Sequence, residues 1–245
     1  MSVRMTYATA VRVFTQLRRD HRTAALLIVV PSVLMVLLRY VFDGAPQVFD
    51  RIGLPLLGVF PFVTMFLVTS VAMLRERTSG TLERLLTTPL HKLDLLLGYG
   101  VAFAEAAALQ VSVATAVAYL LLGLDTVGSP ARVVGVAVAN AVLGMALGLF
   151  VSAFARSEFQ AVQFMPAVVL PQVLLCGLLT PREDMAGWLH GLSDVLPMTY
   201  AVDALTEIGR HAEVTGTLVR DVAVVVGAAV AFLVLGAATL RRRTG

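Results

Sequence analysis

Residues 133–154 read VVGVAVANAVLGMALGLFVSAF. None of these side chains carries a charge, and Asn140 is the only amide among them. A helix rises about 1.5 Å per residue, so roughly 20 apolar residues cross the ~30 Å of bilayer hydrocarbon. Hydrocarbon offers backbone N–H and C=O groups no partner, so such a run has to be helical. Within it Asn140, Gly144, Gly148 and Ser152 recur at every fourth position. A face of small residues lets a second helix approach closely, which is a main source of helix association in lipid. The segment therefore predicts a tightly packed transmembrane helix.

Comparable runs occupy residues 24–42, 54–74, 95–122, 159–179 and 219–240, making six spans in all. The first contains Pro31, the second Pro55 and Pro61, and the fifth is interrupted by Pro166 and Pro171. Composition agrees. Hydrophobic residues make up 58% of the 245-residue chain and charged residues 14%, and the mean hydropathy is +0.85. A soluble domain has nearer 45–50% apolar and about 25% charged residues. The fold expected is all-α and integral to a membrane, in one domain over residues 1–245. Ala104, Ala108, Ser112 and Ala116 give the third span a small-residue face like that of the fourth. Such faces suit contacts within one chain or between two copies. Cys176, the single cysteine, excludes an intrachain disulfide and reads as a small buried hydrophobe.

Residues 1–23 lack the compact apolar core of a signal peptide. Val3, Tyr7, Ala10, Val11, Phe14 and Leu17 recur at helical spacing, with Arg4, Arg12, Thr15 and Arg19 on the other side. That pattern predicts an amphipathic helix lying in the headgroup plane. Six spans put both ends of the chain on one side of the membrane. Thirteen of the 19 Lys and Arg residues fall there: Arg4, Arg12, Arg18, Arg19, Arg22, Arg75, Arg77, Arg84, Lys92, Arg156, Arg241, Arg242 and Arg243. The opposite side holds most of the acids, among them Asp43, Asp50, Asp125, Glu183, Asp194, Asp203 and Asp221. The positive-inside rule then makes the basic side cytoplasmic.

The loop after the second span, residues 75–94, reads RERTSGTLERLLTTPLHKLD. Gly80 suits a cap, Glu83 suits a helix N-terminus, and Leu82, Leu85 and Leu86 make an apolar patch at i, i+3, i+4. Pro89 stops the helix. A helix of two turns is marginal in water, so it needs something to pack against.

The stretch ERTSGTLERLLTTP, residues 76–89, resembles the cytoplasmic-loop signature of type-two ATP-binding-cassette permeases. LPMTYAVDAL, residues 196–205, is similar to that family's Pro-x-x-Tyr-x-x-(Asp/Glu) segment before the last span. Within the family the short drug- and lipid-exporter permeases of the daunorubicin-resistance type are nearest in character. The resemblance implies that Gly80–Thr88 is the coupling helix seated in a nucleotide-binding subunit. Leu82, Leu85 and Leu86 would give contact or footing, Thr81 and Pro89 belong to the motif, and Glu76, Arg77, Glu83 and Arg84 would serve the joint. It also implies two permease halves, a hydrophobic substrate, and ATP and magnesium bound by partner ATPase subunits. This chain itself is expected to bind no cofactor and to catalyse nothing. Lys92, its only lysine, sits in no Gly-x4-Gly-Lys-(Ser/Thr) context, so ATP chemistry is expected from a separate polypeptide.

Ionisable groups within hydrocarbon cost roughly 2.5–3.5 kcal/mol on insertion scales and usually face a bundle interior. Glu105 in the third span is the clearest example, with Gln110 five residues on. Both readings of Glu105 stand: a substrate-path or switch carboxylate, and a structural group joining two helices. In residues 181–218, Trp188 suits the outer interface, while Pro197, Tyr200 and Asp203 match the family segment. There the family forms short re-entrant helices. His190 and Asp194 at i, i+4 fall short of the three protein ligands a catalytic zinc uses, so no metal is expected. A lipid-modifying membrane enzyme would need clustered nucleophiles or acid–base pairs, and none is legible. A passive channel or scaffold would have no use for the helix before Pro89. Membrane lipid is an expected partner; nucleic acid is not.

Overall fold

In a computed structural model, residues 3–80 and 92–239 are described. They form helices α1 (Val3–Arg19), α2 (His21–Val41), α3 (Pro46–Thr78), α4 (Lys92–Ala116), α5 (Pro130–Val151), α6 (Glu158–Leu175), α7 (Gly187–Ser193), α8 (Pro197–Arg210) and α9 (Gly216–Thr239). A π-helical turn, Val117–Leu121, extends α4, and a 3₁₀ turn, Ser152–Phe154, extends α5. Six of these helices, α2 to α6 and α9, are long and apolar enough to cross a membrane. The six expected spans are therefore present, and the chain is an all-α multi-pass membrane protein.

Proline placement explains several boundaries. Pro46, Pro130 and Pro197 each stand in the first turn of a helix, where the missing N–H has no intrahelical partner to lose. Pro166 and Pro171 do not interrupt α6, which runs through both as one helix. Membrane helices tolerate internal proline because neighbouring helices and polar side chains satisfy the freed carbonyls. Gly80 has φ +71°, and Ser79 donates its N–H to the Arg75 carbonyl. Gly80 thus ends α3 in the left-handed conformation that glycine adopts at little cost.

The core is built on α3 and α5. Gly144 and Gly148 lie directly against the α3 backbone. A Cβ at Gly144 would collide with the Phe62 carbonyl and stand 2.9 Å from its Cα, and one at Gly148 would meet Phe66 and Thr69. Thr69 fills the remaining space and donates to the Met65 carbonyl, with the Met145 carbonyl 3.2 Å away. Phe62, Phe66, Leu143 and Leu147 pack around this line with Met198 and Leu205 of α8. Asn140 is wholly buried and donates Nδ2–H to the Gly58 carbonyl at 3.1 Å. Cys176 is also buried. A second cluster joins α1 to α4 and α5 through Val13, Leu95, Leu96, Tyr99, Phe103, Met145 and Leu149. By contrast α2, α6 and α9 present rows of uncovered side chains, such as Leu26, Val33, Leu37, Leu170, Val226 and Val230, as lipid-facing helices should.

Asn140→Ala removes the α5-to-α3 hydrogen bond without blocking their approach. Interhelical bonds of this type contribute about 0.6–2 kcal/mol. A modest fall in thermal midpoint is expected for the variant in mild detergent, with normal yield.

Candidate functional site

The bundle has two ends. At one, α1 packs on the first turns of α4 and reaches the end of α3 through Arg12 and Glu76. At the other, α8 packs on α3, α5 and α9, and α7 lies beside α6.

At the α1 end the sequence-level pattern needs rotation. Tyr7 and Val11 are exposed, at 70% and 47%, while Thr9, Ala10 and Val13 are buried. The contact is set by Gly98 of α4: a Cβ there would fall 2.5 Å from Thr9 Cβ and 2.9 Å from the Thr6 carbonyl. A small polar residue against a glycine brings two backbones together, and hydropathy does not register it. The rotation carries Arg12, expected on the solvent side, inward. Its Nη1 donates to Glu76 Oε1 at 3.0 Å and Nη2 to the Tyr99 hydroxyl at 3.3 Å, and the guanidinium lies over the Tyr99 ring. One side chain thus ties α1 to α3 and α4. The pair is largely shielded, with Arg12 and Glu76 side chains 29% and 12% exposed. Removing one member of such a pair strands the other away from water. Nearby, Arg75 makes a two-pronged contact with Glu158 of α6 at 2.8 and 3.0 Å. Both of those groups are exposed, so the pair contributes about 0–1 kcal/mol.

Of the residues expected at the coupling element, Glu76, Arg77 and Gly80 lie where α3 ends. Thr81, Leu82, Glu83, Leu85, Leu86 and Pro89 lie outside the described residues. Glu76 was named from the motif, but its partners Arg12 and Tyr99 were not.

Glu105 and Gln110 point different ways. Five residues turn a helix through about 500°, so they cannot share a face. Gln110 is fully buried, and its Nε2 donates to the Thr64 hydroxyl at 2.8 Å. Glu105 is exposed, on the same uncovered side of α4 as Val101 and Leu109. In the single chain it does not face the bundle interior.

At the opposite end the short helices form as expected. Pro197 opens α8, whose apolar face is buried through Met198, Ala201, Val202, Ala204, Leu205 and Ile208. Leu205 reaches the position a Cβ of Gly58 would occupy, so α8 dips well below the start of α3. Arg182, not singled out from sequence, holds this segment together. It donates to Asp203 Oδ2 at 3.0 Å and to Asp194. The Tyr200 hydroxyl donates to the Asp194 carbonyl at 2.7 Å. Tyr200 and Asp203 are thus brought into one cluster, while Trp188 stands apart and exposed. Burial pushes the Asp203 carboxyl above its usual range. Arg182 opposes that shift, and the charge of Asp221 adds to it.

The architecture defines a helical membrane protein with an amphipathic helix at one end and a pair of short helices at the other. Sequence comparison carries this further. The family described as ABC-2 type transporter matches residues 5–208, and the chain belongs to that family. ABC transporter G family member 20 of Dictyostelium discoideum is 28% identical over 141 residues, 58% of this chain and 19% of that protein. The probable multidrug ABC transporter permease YbhR of Escherichia coli is 27% identical over 153 residues, 62% of this chain and 42% of that one. The linearmycin resistance permease protein LnrN of Bacillus subtilis is 24% identical over 160 residues, 65% and 40% of the two chains. This chain spans less than half the length of each of these relatives.

Glu76→Ala leaves the Arg12 guanidinium half-buried without its carboxylate. We expect a loss of about 3 kcal/mol, read as a lower unfolding midpoint in detergent. The exchange Arg12→Glu with Glu76→Arg should recover part of it. An additive double variant would mean that the two groups do not interact.

Proposed function

We propose that this chain is the membrane-spanning subunit of an ATP-driven exporter in the cell membrane. It would move a hydrophobic or amphipathic solute outward, with a separate ABC ATPase supplying the work and a second permease copy or homologue completing the pathway. ATP and magnesium would belong to the ATPase, and this subunit would be non-catalytic. Family membership supports the reading, together with relatives named as multidrug and resistance permeases. The charge asymmetry along the sequence supports placing the α1 end in the cytoplasm.

One observation carries the mechanical part. The 33-residue α3 is a single helix, about 50 Å long. Near its last turn it is bound to α1 through Glu76 and Arg12. Far along it, Gly58 is in contact with Leu205 of α8. A helix so tightly packed moves as a rod. Force applied beyond Gly80 by closure of an ATPase pair would therefore reach α8 at the other end. Work enters because nucleotide binds the two states of the motor unequally. The helix around Gly80–Thr88 would be the motor's grip, with Leu82, Leu85 and Leu86 as its apolar footing and Glu83 as its acidic first turn. Glu105 and Gln110 would act on the substrate path or its switch, and the α7–α8 segment with Trp188, Pro197, Tyr200 and Asp203 would gate the outer side.

The test is gentle solubilisation of the protein from its native membrane, followed by identification of what copurifies. The ATPase should copurify and hydrolyse ATP in the complex. Leu85→Asp should abolish copurification while leaving membrane insertion intact. Undiminished association and transport in that variant would contradict the coupling role.

A further inference from the structure

Most of α3 is sealed by its neighbours. One stripe near its C-terminal end is not: Leu67, Val68, Val71, Ala72, Arg75, Glu76, Thr78 and Ser79 line a cleft of about 870 Å³. Val13 and Leu17 of α1 form a second wall, Tyr99 and Phe103 of α4 a third, and Asp20 and Thr23 close the side where α1 meets α2. The volume falls within the ~300–1,000 Å³ range of small-molecule sites. The lining is graded along the α3 axis. Leu67, Val68, Val71 and Phe103 make an apolar floor, and Asp20, Arg75, Glu76, Thr78 and Ser79 gather at the other end. From residue 67 to residue 79 is about 18 Å, long enough for an extended alkyl chain and a head group.

The sign of the polar end follows from which charges are already engaged. Arg75 is held by both oxygens of Glu158. Arg12 is held by Glu76 and Tyr99. Against these two cations stand three carboxylates: Glu158, Glu76 and Asp20. Glu76 meets Arg12 with Oε1 only, and its Oε2 has no hydrogen-bond partner. Asp20 is fully ionised at neutral pH, its carboxyl held below the usual range by hydrogen bonds from Thr23. Arg18, Arg19 and Arg22 are exposed and line none of the cleft. The uncommitted charge is therefore negative and sits at one end of an apolar trough.

We propose that this cleft, wholly within one chain, binds an amphiphile with a primary ammonium head group. The alkyl portion lies along Leu67, Val71 and Phe103, and the ammonium is held at the Asp20–Glu76 end. The head group belongs equally to aminophospholipids and to free cationic amphiphiles. The cleft is lined by residues of a single chain, and its occupancy does not depend on the export reading.

The full chain in neutral detergent, analysed by native mass spectrometry, provides the test. Dodecylamine should bind at one site, at least about tenfold more tightly than dodecanol or dodecyl sulfate, a difference of one decade in Kd. Glu76→Gln should weaken dodecylamine about tenfold. So should Val71→Trp, which fills the trough and leaves every charge in place. Glu213→Gln, an exposed carboxyl at the opposite end, should change nothing. Phosphatidylethanolamine displacing the amine would identify lipid as the occupant, whereas amine binding untouched by that lipid would identify a free amphiphile. Equal binding of all three dodecyl probes would overturn the proposal. So would undiminished dodecylamine binding in folded Glu76→Gln and Val71→Trp proteins.

Discussion

The structure depends on the direct contact between the backbones of α3 and α5. In lipid there is no water to expel from between two helices, so association rests on close van der Waals contact and on interhelical hydrogen bonds. Gly144 and Gly148 supply the first, allowing the α5 backbone to rest on Phe62 and Phe66. Asn140 supplies the second through its bond to the Gly58 carbonyl, while Thr69, whose hydroxyl is donated within its own helix, packs beside the glycines. Once this axis is fixed, α2, α4, α6 and α8 pack on the remaining faces of α3, and the cleft stripe near its C-terminal end stays open.

Both ends of the molecule take their positions from that axis. At one, Glu76 holds Arg12 and so docks α1. At the other, Gly58 receives Leu205 and so seats α8. Neither contact tolerates much displacement of α3, because one is a shielded ion pair and the other is a leucine filling the space above a glycine. Under the proposed function this stiffness is the useful property. A soft helix would dissipate motion delivered beyond Gly80, whereas a rod carries it across the membrane.

The spans were legible because hydropathy over about 20 residues is a strong signal. Their ends were less so. The expected second span began at residue 54, yet α3 starts at Pro46. Asp50 and Arg51 hid those two turns from hydropathy, although Asp50 is used there to accept the Asp125 N–H. The fit of α1 was read a little out of rotation, because Thr9 against Gly98 is a contact of size rather than of polarity. Gln110 and Glu105 were read as one polar region, although helical geometry sends them to different faces. Arg182 escaped notice because its partners, Asp194 and Asp203, are distant in sequence and meet only when α7 folds against α8. Pro197, Tyr200 and Asp203 were identified correctly as members of one segment, since the motif keeps them within two turns.

Thermal unfolding and size-exclusion behaviour of Gly144→Leu in mild detergent test the central contact most directly, with Gly135→Leu on the open face of the same helix as reference. A leucine at 144 has to push α5 off α3, and overpacking of this kind costs about 1–3 kcal/mol or more. The account predicts that Gly144→Leu is recovered poorly or melts far below the parent protein, while Gly135→Leu behaves like it. A Gly144→Leu protein that is monodisperse and as stable as the parent would mean that α3 and α5 do not meet in this way.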